Sequence, residues 1–178
     1  MPFLIAIALG LVFGLLTGGR VGNLARVRFR WPWVILAAIV VREAVLVTPL
    51  NRVDGARFAY VLSLLAIVVW TIVHIERLRG IWLVTAGTAL NLLVIAANGA
   101  RMPVAPEFAG ILVQRGTVGQ YTLMGPATNL NLLGDWIRLY PVSTAYSPGD
   151  VLIGLGLAIV VFLAVRNPRP YRSELTPP

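Results

Sequence analysis

Five long stretches of this chain carry almost no charge, and that pattern limits what it can fold into. They run from Pro2 to Gly18, Trp31 to Leu50, Phe58 to Ile75, Ile81 to Asn98 and Val151 to Val165. The last is the shortest, and Ser147 to Asp150 can extend it. A helix rises about 1.5 Å per residue, so roughly 20 apolar residues cross a hydrocarbon core. The pattern predicts an all-α, polytopic membrane bundle of five transmembrane helices in a single domain. Composition excludes the alternatives. Charged residues make up 12% of the 178 and apolar ones 58%, whereas a soluble domain averages about 25% charged. So few polar groups cannot coat a soluble domain of this size, and the chain is too apolar to be disordered.

The first stretch lacks a basic leader, and Gly18-Gly19-Arg20 follows it in place of a small-residue cleavage site. It reads as an uncleaved helix. Orientation follows from arginine placement. Arg20, Arg26, Arg28, Arg30, Arg77, Arg79, Arg166, Arg169 and Arg172 fall on one side, and Arg52, Arg57, Arg101, Arg115 and Arg138 on the other. The richer side is cytoplasmic, so the N-terminus is outside a bacterial cytoplasmic membrane and the tail 166–178 inside. Trp31, Trp33 and Trp82 then form an aromatic belt at the inner interface. The net charge of +8 is explained by topology and lipid headgroups and does not call for nucleic acid.

The outer loop 99–146 is too long and too apolar for a linker. Phe108 to Val113, Tyr121 to Met124 and Asn129 to Ile137 are apolar but too short to span. The expectation is a lid of short interfacial or re-entrant helices, with Trp136, Tyr140 and Tyr146 at headgroup level.

Chemistry is sparse. There is no cysteine or lysine and a single histidine, His74, which excludes disulfides, thiol and Schiff-base chemistry and a His/Cys metal site. No nucleophile elbow, HExxH or Walker loop is present. Arg42-Glu43 interrupts the second stretch, and Arg42 counts to about 16 Å from its start, near mid-bilayer. Such groups face a bundle interior and need partners. Adjacent helical residues diverge by about 100°, so at least one of the two is expected to pair with another span. Thr85, Thr88, Asn91 and Asn98 share one face of the fourth stretch, and Asn91 counts to about the depth of Arg42. The two spans are expected to touch there, as a structural clasp or as a ligand site. Gly10, Gly14 and Gly18 form a small-residue packing stripe whose partner is another span or a second protein. Ser147-Pro-Gly-Asp150 reads as a helix cap. Asp135 has no such account. Arg101 either caps the fourth helix or pairs with Asp135 or Asp150. His74 reads as an interfacial histidine or as an axial ligand to a pigment or haem.

Leu90-Asn-Leu-Leu-Val-Ile-Ala-Ala-Asn-Gly-Ala-Arg-Met-Pro-Val104, Leu133-Gly-Asp-Trp-Ile137 and Ser147-Pro-Gly-Asp-Val-Leu152 together resemble an uncharacterised family of small bacterial integral-membrane proteins. Gly18-Gly-Arg20 and its basic loop fit the resemblance, which spans about residues 5–165. Ala100 stands where the family has a second glycine. The resemblance implies the membrane architecture and draws attention to Asn98, Arg101, Asp135 and Asp150, but implies no activity. The expected function is that of a non-enzymatic accessory or scaffold subunit packed against larger membrane partners, such as an energy-converting complex. The alternative is a carrier or receptor for a lipid, quinone or small anion, with Arg42, Asn91 and Arg101 lining its site. No cofactor is implied by the residues; a bound lipid, quinone or pigment is compatible with them.

Overall fold

The computed structural model describes residues 2–53, 55–110, 112–139 and 144–166. Tyr140 and the tail beyond Arg166, with Arg169 and Arg172, lie outside the described residues. The fold is mostly helical. Five long helices form where the apolar stretches lie: α1 (Pro2–Leu16), α2 (Pro32–Val47), α3 (Ala56–Val73), α4 (Ile81–Ala97) and, last in the chain, α6 (Pro148–Arg166). A one-turn helix, α5 (Leu112–Arg115), sits in the loop between α4 and α6.

Local chemistry sets the helix ends. Gly18 stops α1 at φ 88. Its N–H donates to the Leu15 carbonyl and that of Gly19 to the Gly14 carbonyl, a Schellman closure that needs a left-handed residue. Pro32 occupies the first turn of α2, where a missing N–H costs nothing. The α4 helix ends at Asn98, followed by Gly99 at φ 62 and Ala100 at φ 65. A left-handed alanine costs about 1 kcal/mol or more, so glycine is the easier residue at position 100.

The helices pack in the order α2–α3–α4–α6–α1. The extensive contacts of α2 are with α3, which stands between it and α4. This corrects the expectation that the second and fourth stretches pack together. One core cluster joins Val45, Tyr60, Leu64, Val94, Ile95 and Met102 at the end nearest the loop 99–146. Another joins Trp70, Leu78, Ile81 and Val84 at the opposite end. Asn23 and Arg20 both bond the Val165 carbonyl, so the α1–α2 connection lies beside the far end of α6.

The small-residue stripe of α1 faces α6 of the same chain. A Cβ at Gly10 would collide with the Ala158 carbonyl, and one at Gly14 would press on Val165. Gly18 has nothing within 4 Å, so it is a chain-reversal residue rather than a packing residue. Gly19 takes the third contact, against Val165.

The segment 99–146 forms a lid of short strands together with short helices, α5 and the 3-10 turns Pro106–Phe108 and Asn131–Leu133; the strands were not expected. Strands β1 (Met102–Val104), β2 (Thr117–Val118) and β3 (Tyr121–Leu123) form a sheet of order β1-β3-β2, with β1 parallel and β2 antiparallel to β3. A second pair joins β4 (Ile137–Arg138) to β5 (Ala145–Tyr146). Gly110, Gly116 and Gly119 at positive φ break any helix longer than α5. Val104, Ala109, Phe108, Val118 and Leu123 give the lid its own small core.

Two helices, α3 and α6, are long and apolar enough to cross a membrane, and less than a quarter of each is buried within the fold. Phe3–Leu16 and Ile81–Ala97 are apolar but shorter. The outward faces are rich in large apolar residues, among them Leu9, Phe13, Leu36, Val40, Leu62, Val69 and Trp82.

Candidate functional site

The polar side chains that interrupt this apolar bundle gather under the lid, at the start of α6. The cap is reciprocal: the Asp150 N–H donates to Ser147 Oγ (2.9 Å) and the Ser147 N–H to Asp150 Oδ2 (3.2 Å). This capping box satisfies two of the donors that a helix start leaves without partners. Asn91 of α4 then locks onto it. Its Nδ2 donates to Asp150 Oδ1 (2.9 Å), and Ser147 Oγ donates to its Oδ1 (2.8 Å). Ser147 is fully buried and Asn91 almost so. Gly149 allows this approach, because a Cβ there would strike Asn91 Oδ1 and the Gly87 carbonyl.

Arg42 reaches the edge of the same cluster. Its Nη1 lies 2.7 Å from Glu43 Oε1, and its guanidinium also meets the Tyr60 hydroxyl on α3. The ring of Phe3 lies 5.9 Å from it. The long arginine side chain swings across to its sequence neighbour and also contacts another helix. Arg42 stands ten residues past the start of α2 and five before its end, about 15 and 7 Å at helical rise. Among the described residues Arg42 makes no hydrogen bond to Asn91. The two are linked through the field of Asp150, which acts on Arg42 and is held by Asn91.

The lid contributes Asp135, Gln120 and Tyr121. Main-chain bonds fix Asp135, whose N–H donates to the Pro103 carbonyl (2.8 Å) and whose carbonyl accepts from Ala105 (2.8 Å). Its side chain is buried, and Oδ1 has no hydrogen-bond partner; the same holds for Gln120 Oε1. Burial first, and then the negative charge of Asp150, push the Asp135 carboxyl up to about 8. It is therefore mainly protonated at neutral pH. Burial also pushes the Tyr121 hydroxyl up. The Ser147–Asp150–Asn91 core of the cluster is mutually bonded, which suits a structural joint between lid and bundle.

Other candidate residues are placed apart from this cluster. Asn98 pins the lid to α4: its Nδ2 donates to the carbonyls of Val94 and Asn129, and its Oδ1 accepts from the Asn129 N–H. Thr88 is buried, and Thr85 donates back to the Ile81 carbonyl. Arg101 donates to the Gly119 carbonyl (3.3 Å) and lines a separate cavity; it forms no ion pair with Asp135 or Asp150 among the described residues. The three residues expected to line one ligand site are thus divided between two places.

His74 lies at the opposite end and is fully buried. Its Nε2 accepts from the Arg30 N–H (3.0 Å), and its Nδ1 contacts the Trp70 carbonyl (2.8 Å). A backbone N–H can only donate and a carbonyl can only accept, so the ring carries its proton on Nδ1. Both nitrogens are engaged, and neither is offered to a pigment or metal. Trp70 stacks on the ring at 3.9 Å and donates to the Arg30 carbonyl. The basic loop is thereby latched to α3.

Sequence reasoning missed Tyr60, Gln120 and Tyr121. Tyr60 did leave a signal, a hydroxyl one turn inside an apolar stretch that demands a partner. The lid residues left none, because their burial depends on strand pairing.

Fold and site together define a lidded helical bundle with apolar outward faces and a mutually bonded polar interior. The chain belongs to the family of unknown function (DUF5317), whose model matches residues 26–162. No curated protein and no solved structure matches it.

Proposed function

We propose that the chain is a bacterial integral-membrane protein whose five long helices all span the bilayer, with the N-terminus and the lid outside. Its role is that of a non-enzymatic accessory or scaffold subunit. The observation that carries this reading is one face of α2. Leu36, Val40, Glu43 and Val47 follow one another at helical spacing and are all exposed, with Val47 at 76% and the Glu43 side chain at 48%. Apolar side chains here suit lipid or protein equally. Arg42 engages one side of the Glu43 carboxylate, and its exposed half suits a protein neighbour better than lipid tails. The interior supports the same reading, since most of its polar side chains are bonded to one another. Lipids coat the remaining helix faces, and the covering partner is another membrane protein of the kind found in energy-converting complexes.

Gentle extraction from native membrane followed by native mass spectrometry tests this. Stoichiometric membrane-protein partners are expected, and they should be lost from a Glu43→Leu variant that still folds. A wild-type chain that travels alone, or carries lipid only, overturns the scaffold role.

A further inference from the structure

A second polar region is built quite differently from the cluster under the lid. Arg52, Arg57, Arg101 and Arg115 converge on one cavity of about 250 Å³, completed by Thr117 and Gly119. They come from three separate places in the chain: the α2–α3 connection and first turn of α3, the turn three residues past the α4 cap, and the α5–β2 corner of the lid. Four like charges in one cavity repel one another, and folding gathers them only at an electrostatic cost. Four carboxylates of the described residues stand elsewhere. Glu43 is bound to Arg42, Asp135 and Asp150 belong to the cluster under the lid, and Glu76 lies in the α3–α4 turn at the opposite end. Even with two carboxylates bound among the four guanidiniums the cavity would stay positive.

We infer that this cavity binds a phosphate group. Guanidinium forks match phosphate oxygens two at a time, and the Thr117 hydroxyl can add a neutral donor. Size narrows the choice, because drug-sized ligands occupy roughly 300–1,000 Å³. The cavity takes a headgroup or a free anion and is too small for a whole quinone. Its place at the lid end of α3 and α4 puts it level with phospholipid headgroups if the helices span the bilayer. The shared chemistry is thus a phosphate mono- or diester, presented by an anionic lipid or free in solution. The inference is independent of the scaffold role, since the cavity and the exposed face of α2 are separate.

The test uses the full chain, purified and reconstituted in zwitterionic lipid. One arm titrates inorganic phosphate and follows thermal stability. The other adds phosphatidylglycerol and counts the lipids retained in native mass spectra. Arg52 and Arg115 are exposed, so R52Q/R115Q is the variant of choice, with R138Q, elsewhere in the lid, as control. At least a tenfold loss of affinity is expected in the double variant and little change in the control, with binding that weakens as salt rises. Saturable phosphate binding identifies the free anion as ligand. Selective phosphatidylglycerol retention without a phosphate effect identifies the lipid headgroup. Binding of neither anion by the wild-type chain overturns the inference, as does binding that R138Q weakens as much as R52Q/R115Q. If R52Q/R115Q fails to fold, R115K replaces it: it keeps the charge and removes the fork, and unchanged affinity there counts against the site.

Discussion

Gly149→Ala is expected to destabilise the bundle by about 3 kcal/mol or more, the sum of two effects. The first is steric. The new methyl would fall on Asn91 Oδ1 and within 2.6 Å of the Gly87 carbonyl, and backbone cannot yield as a flexible side chain can. Overpacking of this kind costs roughly 1–3 kcal/mol. The second is the loss of bonding. Pushing Asn91 aside breaks its contacts with Ser147 and Asp150, leaving buried polar atoms unpaired at roughly 1–3 kcal/mol. Gly154→Ala supplies the comparison on the same helix. Its methyl would meet only the Ala6 side chain at 3.8 Å, an ordinary contact, and alanine favours helix by up to about 1 kcal/mol. Denaturant titrations of the two variants in one detergent should separate them clearly. Equal stabilities would show that α4 and α6 do not meet at Gly87 and Gly149.

Asp135→Asn is expected to remove most of a steep dependence of stability on pH. The carboxyl ionises near 3.8 when exposed and near 8 in the fold. Below pH 4 it is protonated in both states and contributes no penalty. As pH rises from 4 to 8, the unfolded chain releases the proton and the folded chain keeps it. Stability therefore falls across this window and levels off above 8. At about 1.4 kcal/mol per unit, the full effect is on the order of several kcal/mol. Asparagine has the shape of the neutral acid and does not ionise. The variant should match the wild type near pH 4 and exceed it increasingly toward pH 8. Parallel melting profiles for the two proteins would mean that Asp135 is ionised and solvated, and the lid would then not seal the cluster.

The fold could be read from the sequence wherever its cause is local. Each apolar run became a helix because nothing in it breaks one. The capping box at Ser147 and Asp150 depends on four consecutive residues, and so its spacing announced it. The face of Gly10 and Gly14 was visible, but the identity of α6 as its partner was not, since periodicity shows which side of a helix is special and not what covers it. The same limit hid the contact of Arg42 with Tyr60. Its partner depends on α3 standing between α2 and α4, a fact of three-dimensional order. In the lid the pairing of Met102 with Tyr121 crosses a turn-rich segment, and strands of two or three residues leave no periodic signal. The four-arginine cavity stayed hidden for the same reason. Its members were counted for orientation, where they carry little weight, and only the fold brings them together.

The central claim is that the exposed apolar faces meet lipid or protein, with the lid outside. The chain has no cysteine, so single cysteines report cleanly. Val113 marks the lid, Gly22 the basic loop and Leu62, 63% exposed, the outward face of α3. Thiols react with maleimides as hydrated thiolates. With a membrane-impermeant maleimide on intact cells, Val113→Cys should label at once and Gly22→Cys only after lysis. Leu62→Cys should label only after denaturation. Labelling of Leu62→Cys as fast as Val113→Cys, or of Val113→Cys and Gly22→Cys from the same side, would contradict the account.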